Sequence, residues 1–323
     1  MNNFSGKSRI SVIGGGTGSS VILRGLKEYS ELLSAIITVA DDGGSSGILR
    51  RELGVIPPGD FRNCVAALSD SENLLKQIFD YRFEHGKGLK GHSLGNLLIT
   101  AMSDITGSFE GGLDLSAKIL GAKGKVFPSS LDNITLEAIL DDGTKILGES
   151  LIPLKKGKIS EIKLIPSDAL GSESAKNALK NSDMIIVGPG SLYTSIIPPL
   201  LVKDLIEIIQ SSKSLKIYVC NIATQKGESD NYSVGDHIEA IEQHTYINIF
   251  DYIIVDQSYN LPITSHDEER VKLSEIDLKN PKIMQFDIKS DEHSMRHDSK
   301  KLSNSIIKLY NLWVKSINNK LED

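Results

Sequence analysis

The feature that most constrains this chain is a recurring unit: a short apolar run, a loop rich in glycine and hydroxyl residues, then a stretch with helical spacing. The first unit is Ile10-Ser-Val-Ile13, then Gly14-Gly-Gly-Thr-Gly18, then apolar positions at Val21, Ile22, Leu23 and Leu26. Strands that are each followed by a helix lie parallel, because only a crossover returns the chain to the same end of the sheet. The helices then cover both faces. The pattern therefore predicts an α/β fold, a three-layer α/β/α arrangement with a mostly parallel sheet. Further strands are predicted at residues 35–39, 184–187, 216–221 and 252–256, with helices near 199–211 and 234–244.

Between the second strand and residue 121 the chain reads as helices. Asp41-Asp42-Gly43-Gly44-Ser45-Ser46-Gly47 is too rich in glycine and serine to continue a strand or a helix. The next helix is expected near Asp60, after the breaker Pro57-Pro58-Gly59, with Asp60 accepting hydrogen bonds from its first turn. Two more are expected at 73–83 and 96–103. From about 121 to 167 the spacing changes. Residues 134–140 and 144–149 flank Asp141-Asp142-Gly143, a hairpin signature, and 159–165 alternate as well. We read this as a small antiparallel insertion into a single domain spanning 1–323. At the end, Leu302, Ile306, Leu309, Tyr310, Trp313 and Ile317 mark one face of a helix packed on the sheet.

Composition limits the function. The chain has 323 residues, 40% of them hydrophobic and 24% charged, an ordinary globular balance. Thirty-six basic against 42 acidic residues leave a net charge of −6, with no basic surplus to neutralise a nucleic-acid backbone. Cys64 and Cys220 are the two cysteines and imply no disulfide framework. The apolar stretch before the first glycines is shorter than a signal-peptide core, and no run of about 18 apolar residues occurs. The expectation is a cytoplasmic protein without membrane insertion.

In an open parallel sheet, ligands bind where loops leave the carboxyl ends of the strands. Gly14, Gly15, Gly16, Thr17 and Gly18 offer backbone N–H groups at a helix start, with a hydroxyl donor, to an anion. A tight turn alone would also account for these glycines, and Ser19 departs from the dinucleotide fingerprint. Asp41 stands where a ribose carboxylate is expected. Asp42 beside it can bind a sugar hydroxyl or help hold Mg²⁺ near phosphates, unless one of the pair only caps the turn. Gly188 to Ser195, including Gly190 and Ser191, repeats the recipe of small residues and hydroxyls, and so does the stretch from Asn221 to Gly227. Together these loops describe a cleft for a phosphorylated, hydroxyl-rich ligand.

Other signals compete. Gly91-His92-Ser93-Leu94-Gly95 matches a nucleophile elbow but lacks the strand that should precede it, so Asn96 is read instead as a hydrogen-bonding residue of a loop lining the cleft. His293 and His297 have the spacing of zinc ligands on a helix, without the glutamate of that motif, and no metal site is assigned. Arg296 can grip a diphosphate with parallel hydrogen bonds, or form a surface salt bridge.

The blocks Gly14-Gly-Gly-Thr-Gly18, Thr38-Val-Ala-Asp-Asp-Gly-Gly-Ser-Ser-Gly47, Pro57-Pro-Gly-Asp-x-Arg-Asn63, Gly91-His-Ser-Leu-Gly-Asn96 and Gly188-Pro-Gly-Ser-Leu-Tyr-Thr-Ser195 resemble the CofD-like family, specifically its bacterial YvcK branch of gluconeogenesis factors. The resemblance covers nearly the whole chain. It implies a Rossmann-like sheet with an antiparallel insertion and cytoplasmic location. It also implies binding of a UDP-sugar such as UDP-N-acetylglucosamine, and a regulatory role in growth on gluconeogenic carbon sources and in cell shape. Its nucleotide-sugar contacts fall on Thr17, Tyr259 and Arg296, with Tyr259 able to stack on a base or sugar.

The sister branch of the family is a 2-phospho-L-lactate transferase that takes a nucleotide-activated substrate with Mg²⁺. There the first loop ends in a further glycine followed soon by lysine, where this chain has Ser19-Ser20-Val21. A non-catalytic binder of nucleotide sugar, requiring no cofactor, is therefore the main reading, and a phosphotransferase the alternative. Both admit a homo-oligomer.

Overall fold

The computed structural model describes residues 6–70, 74–155, 157–258, 269–273, 282–293 and 295–322. Its strands, in chain order, are β1 (Ile10–Gly14), β2 (Leu33–Ile37), β3 (Lys125–Pro128), β4 (Thr135–Leu140), β5 (Lys145–Leu147), β6 (Ile159–Ile165), β7 (Met184–Val187), β8 (Leu215–Val219), β9 (Tyr252–Asp256) and β10 (Lys282–Phe286). Seven of them form one parallel sheet in the order β10-β9-β8-β7-β1-β2-β3. Helices flank it in the three-layer arrangement. Strands β1 and β7 are central and buried along their whole length, which is why they read as unbroken apolar runs rather than alternating ones.

The chain leaves β1 toward β2 and β3, then returns to place β7 on the other side of β1. Strand order therefore reverses between β1 and β7. At such a switch point the two following loops diverge to opposite faces and leave a crevice.

Helix α1 (Gly16–Leu26) buries Ile22, Leu23 and Leu26, the stripe expected from its spacing. The helix Ser299–Glu322 buries Leu302, Ile306 and Leu309, and packs against α1, where the Ser303 side chain and the Ser299 backbone lie against Gly25. Its partner is thus a helix, where the spacing alone had pointed to the sheet.

The largest departure from the sequence reading is α2 (Gly44–Leu53), which runs through the glycine-serine stretch expected to be loop. Weak local propensity is overridden by long-range hydrogen bonds. Ser45 Oγ receives one from Asn96 Nδ2 at 3.1 Å, and Ser46 Oγ one from the Gly59 N–H at 3.0 Å. Gly54, left-handed at φ 69°, ends the helix. The next helix, α3 (Gly59–Leu68), begins where the proline-glycine breaker placed it, with Asp60 in its first turn.

The small antiparallel sheet has the order β5-β4-β6, its three strands falling on the runs predicted at 134–140, 144–149 and 159–165. β3 lies inside the 121–167 window yet pairs in parallel with β2 as the edge of the main sheet. Its four residues were too few to show a periodicity. The small sheet is tied to the main body at several points. Ile162 N–H donates to His244 Nε2 at 2.8 Å, Ser150 N–H to Asp42 Oδ1 at 2.8 Å, and Arg50 Nη2 to the Ile134 carbonyl at 2.6 Å.

Candidate functional site

The loops after β1, β2, β7 and β8 meet over the switch point and enclose a cavity of about 460 Å³. Gly15 to Gly18 line it from α1, Thr38 and Asp41 from the loop after β2, Pro189 to Ser191 with Thr194 and Ser195 from the loop after β7, and Asn221 to Gln225 from the loop after β8. Asp60 of α3, Glu149 of the antiparallel insertion, and Met295, Arg296 and His297 complete it.

Why glycine is needed in the first loop is answered by the protein itself. A Cβ on Gly18 would run into the Pro189 carbonyl, and one on Gly16 into the Asp60 carboxylate. These residues let α1 close against the β7 loop and against α3. Gly15 caps α1 in an extended conformation without a side-chain hydrogen bond to the first turn. The exposed Thr17 hydroxyl and the first-turn N–H groups thus face the cavity at the positive end of a helix dipole. The Asp60 carboxylate already holds the Gly16 N–H. Gly14 stands behind this turn as the last residue of β1, its carbonyl accepting the Thr38 N–H at 3.0 Å.

Three carboxyls line the same space. Burial raises Asp41, against hydrogen bonds from Gly43 N–H and Ser46 that lower it. Burial pushes Asp60 up to about 6, opposed by its bond to Gly16 and helped by the nearby charge of Asp41. Glu149 is pushed up to about 8, by burial first and then by Asp41, Asp60, Glu228 and Asp42 around it. At neutral pH Glu149 therefore carries its proton and offers a hydroxyl donor, which lessens the negative charge of this wall. Among the described residues no group of three or more His, Cys, Asp or Glu is arranged to hold a metal ion.

The opposite wall is held by amides. Asn221 clamps Gly190 twice, its Oδ1 accepting the Gly190 N–H at 3.1 Å and its Nδ2 donating to the Gly190 carbonyl at 2.8 Å. Gln225 Nε2 donates to Ser191 Oγ at 2.8 Å. Behind them the buried Glu228 accepts from the Tyr193 N–H and the Thr194 hydroxyl, each at 3.2 Å, and fixes the turn Leu192–Ile196. Among the described residues, Arg296 is the one lysine or arginine lining the cavity. It is exposed, and among the described residues no carboxylate lies within ion-pair distance of it.

Of the residues singled out from sequence, Gly15, Gly16, Thr17, Gly18, Asp41, Gly190, Ser191, Asn221 and Arg296 line this one cavity. Asn221 lines it as a brace, since both ends of its amide are engaged. Asp42 turns away and anchors Ser150 of the insertion. Asn96 is buried against Ser45 and does not reach the cavity wall, so its assignment to the lining is corrected. Tyr259 lies outside the described residues.

Ser93 is fully buried and hydrogen-bonded to Arg62, and its segment follows a turn rather than a strand, which removes the nucleophile elbow. His293 is exposed while His297 bonds the Cys220 carbonyl. Both precede the helix that begins at Ser299, so they share no helical face.

Thr194, Ser195 and Gln225 line the site as members of the two loops expected to form it, whereas Asp60, Glu149 and His297 line it without having been proposed for it. Asp60 carried a signal, since a carboxylate in the first turn after Pro-Pro-Gly sits beside any helix start that packs on it. Glu149 had none, because nothing local tells which end of an inserted hairpin meets the sheet.

Comparison with known proteins follows the same lines. The family described as "2-phospho-L-lactate transferase CofD" matches residues 10–296. A protein of Halalkalibacterium halodurans named "Gluconeogenesis factor" is 43% identical over 309 residues, covering 93% of this chain and 96% of its own. One of Bacillus subtilis with the same name is 40% identical, covering 94% and 98%. A Nostoc relative is 56% identical over 72% of this chain, and this chain spans about half of that relative's length (51%). A crystal structure of a upf0052 family member from Bacillus halodurans superposes with a TM-score of 0.88 at 43% identity, covering 93% of this chain and 100% of that one.

Proposed function

We propose, for a chain that belongs to the CofD family, that it binds a nucleotide diphosphate sugar of the UDP-N-acetylglucosamine type and acts as a regulator rather than a catalyst. The role would be the one named for its Halalkalibacterium and Bacillus relatives, gluconeogenesis factor. Growth on gluconeogenic carbon sources and cell shape are the processes in which we place it.

The observation that carries this reading is the joining of two features at one switch point. Loops after adjacent parallel strands present first-turn N–H groups and hydroxyls, and Arg296 lines the same cavity with no carboxylate partner among the described residues. A diphosphate satisfies both the N–H groups and the guanidinium. The carboxyl wall of Asp41, Asp60 and Glu149 then faces the hydroxyl-rich parts of the ligand, where acceptors and a protonated Glu149 are useful.

The second reading, a phosphotransferase, is favoured by the same carboxyls and by the description of the family. It calls for Mg²⁺, and the donor set does not fit an ion held by protein alone. Asp41 and Asp60 are each engaged by backbone N–H groups, and no three-ligand group is arranged among the described residues.

Isothermal titration against UDP-, GDP- and ADP-sugars tests the main reading. Saturable binding of a UDP-sugar, with no turnover when Mg²⁺ and an acceptor are added, is the expected result. Folded protein that binds no nucleotide sugar at millimolar concentration would refute it.

A further inference from the structure

Among the described residues Arg296 is the one lysine or arginine lining the cavity, yet it does not lie on a strand or helix, and an arginine on a loose segment loses much of its binding energy to ordering. The segment that carries it is closed on itself. Ser290 N–H donates to the Arg296 carbonyl at 2.7 Å, Arg296 N–H to the His293 carbonyl at 2.8 Å, and Asp298 N–H to the Ile288 carbonyl at 2.8 Å. Lys289 and His297 form a bridge across this turn. One root is tied to β9, where Ile288 N–H donates to Asp256 Oδ2 at 3.2 Å.

Lys301 of the following helix pairs with Asp291 at 2.8 Å and donates its N–H to Asp298, and a tie to the sheet runs through His297. Its Nε2 lies 3.2 Å from the Cys220 carbonyl. Cys220 continues the β8 ladder by donating its N–H to the Ile254 carbonyl, and its own carbonyl points beyond the last paired residue. A carbonyl cannot donate, so the ring N–H does, and the imidazole is neutral or protonated with its hydrogen on Nε2. Burial pushes His297 down to about 4, so the neutral form prevails at ordinary pH.

We propose that His297 is the positioning residue for Arg296, pinning the 288–298 turn to the carboxyl end of β8 so that the neighbouring guanidinium stands over the diphosphate position. This rests on the reading that the cavity holds a diphosphate, and it adds a residue assigned no role there. The pin is set by strand β8 itself, which also supplies the Asn221 brace one residue further on. One strand end thus orders both the amide wall and the arginine.

The test uses the full chain and UDP-N-acetylglucosamine as titrant. Arg296→Ala should weaken binding about tenfold, the loss of one charge-assisted hydrogen bond to phosphate. His297→Ala should weaken it by a similar factor, His297→Gln should restore most of the loss because its amide can donate to Cys220, and the double variant should be no weaker than Arg296→Ala. Losses that add in the double variant, or His297→Ala with full affinity in folded protein, would overturn the proposal.

Hydrogen exchange on the unliganded chain gives an independent arm. In His297→Ala or the isosteric His297→Met, the Arg296 and Asp298 amides should exchange faster while the β8 amides keep their protection. Unchanged exchange there also overturns the pin. If the wild type binds no nucleotide sugar, the proposed function fails, and the exchange arm still decides whether His297 orders the turn.

Discussion

One wall of the cavity comes from the ends of adjacent parallel strands, β1, β7 and β8, and the other from α3 and the antiparallel insertion, which deliver Asp60 and Glu149. The first wall is made of backbone, hydroxyls and amides that brace one another at 2.8–3.1 Å. The second is made of carboxyls that repel one another and are held up in pKa by burial. The strand-end wall owes its shape to the sheet and is in place wherever the sheet folds. Glu149 of the carboxyl wall depends on docking of a separate small sheet through Asp42, Arg50 and His244, while Asp41 and Asp60 belong to the main body. Rigid anion-holding chemistry sits on the first, and charge that can be adjusted by protonation sits on the second.

Gly18→Ala breaks the comparison hardest. Its methyl group would meet the Pro189 carbonyl with no flexible side chain to yield. A loss of about 1–3 kcal/mol is expected, as for other overpacked sites, together with loss of nucleotide-sugar binding. Thermal melting and titration read the two effects. A substitution that leaves the midpoint unchanged would show that the first wall is looser than its packing indicates.

Glu149→Gln sharpens the comparison from the other side. In the fold the carboxyl is held at about 8 against an ordinary 4.5, so the folded chain binds the extra proton between those values. Stability is therefore lost as pH rises from about 4.5 to 8, and the glutamine variant escapes that loss. The variant should melt several degrees higher than wild type at pH 9 and with little difference near pH 4. Its affinity for an anionic ligand should stay flat from pH 7 to 9 while that of the wild type falls. Parallel pH profiles would place the proton elsewhere.

Asp42→Ala should have the smallest effect. It removes the carboxylate that receives the Ser150 N–H at 2.8 Å, a bond of about 1 kcal/mol. The amides at 149–154 should then exchange faster, and ligand affinity should fall only a fewfold, because the strand-end wall is untouched. Exchange confined to wild-type rates would mean that Arg50 and His244 hold the insertion alone.

The same division explains what could be read from the sequence. The glycine turn and the loops after β7 and β8 were legible because each lies beside a buried apolar strand, whose position follows from hydropathy, and the switch-point rule says which end of the strand matters; Arg296 was reached only through its own chemistry and the family resemblance. Helix α2 was hidden by its glycine-serine start, and β3 by its four residues. Glu149 was invisible because its place depends on three-dimensional docking of the insertion. Asn96 was misplaced for the opposite reason. A polar side chain at a helix entry looks like a ligand contact, but here it is consumed by Ser45 of a helix that the sequence did not reveal. Asn221 was found for the right place, and its amide turned out to brace Gly190.

The most direct test of the central claim is a crystal structure of the chain with UDP-N-acetylglucosamine. The account predicts the diphosphate between the Gly15–Gly18 turn and the Arg296 guanidinium, with the sugar hydroxyls toward Asp41 and Glu149. A ligand bound away from the β1–β7 switch point, or with its phosphates outside reach of both the turn and Arg296, would contradict it.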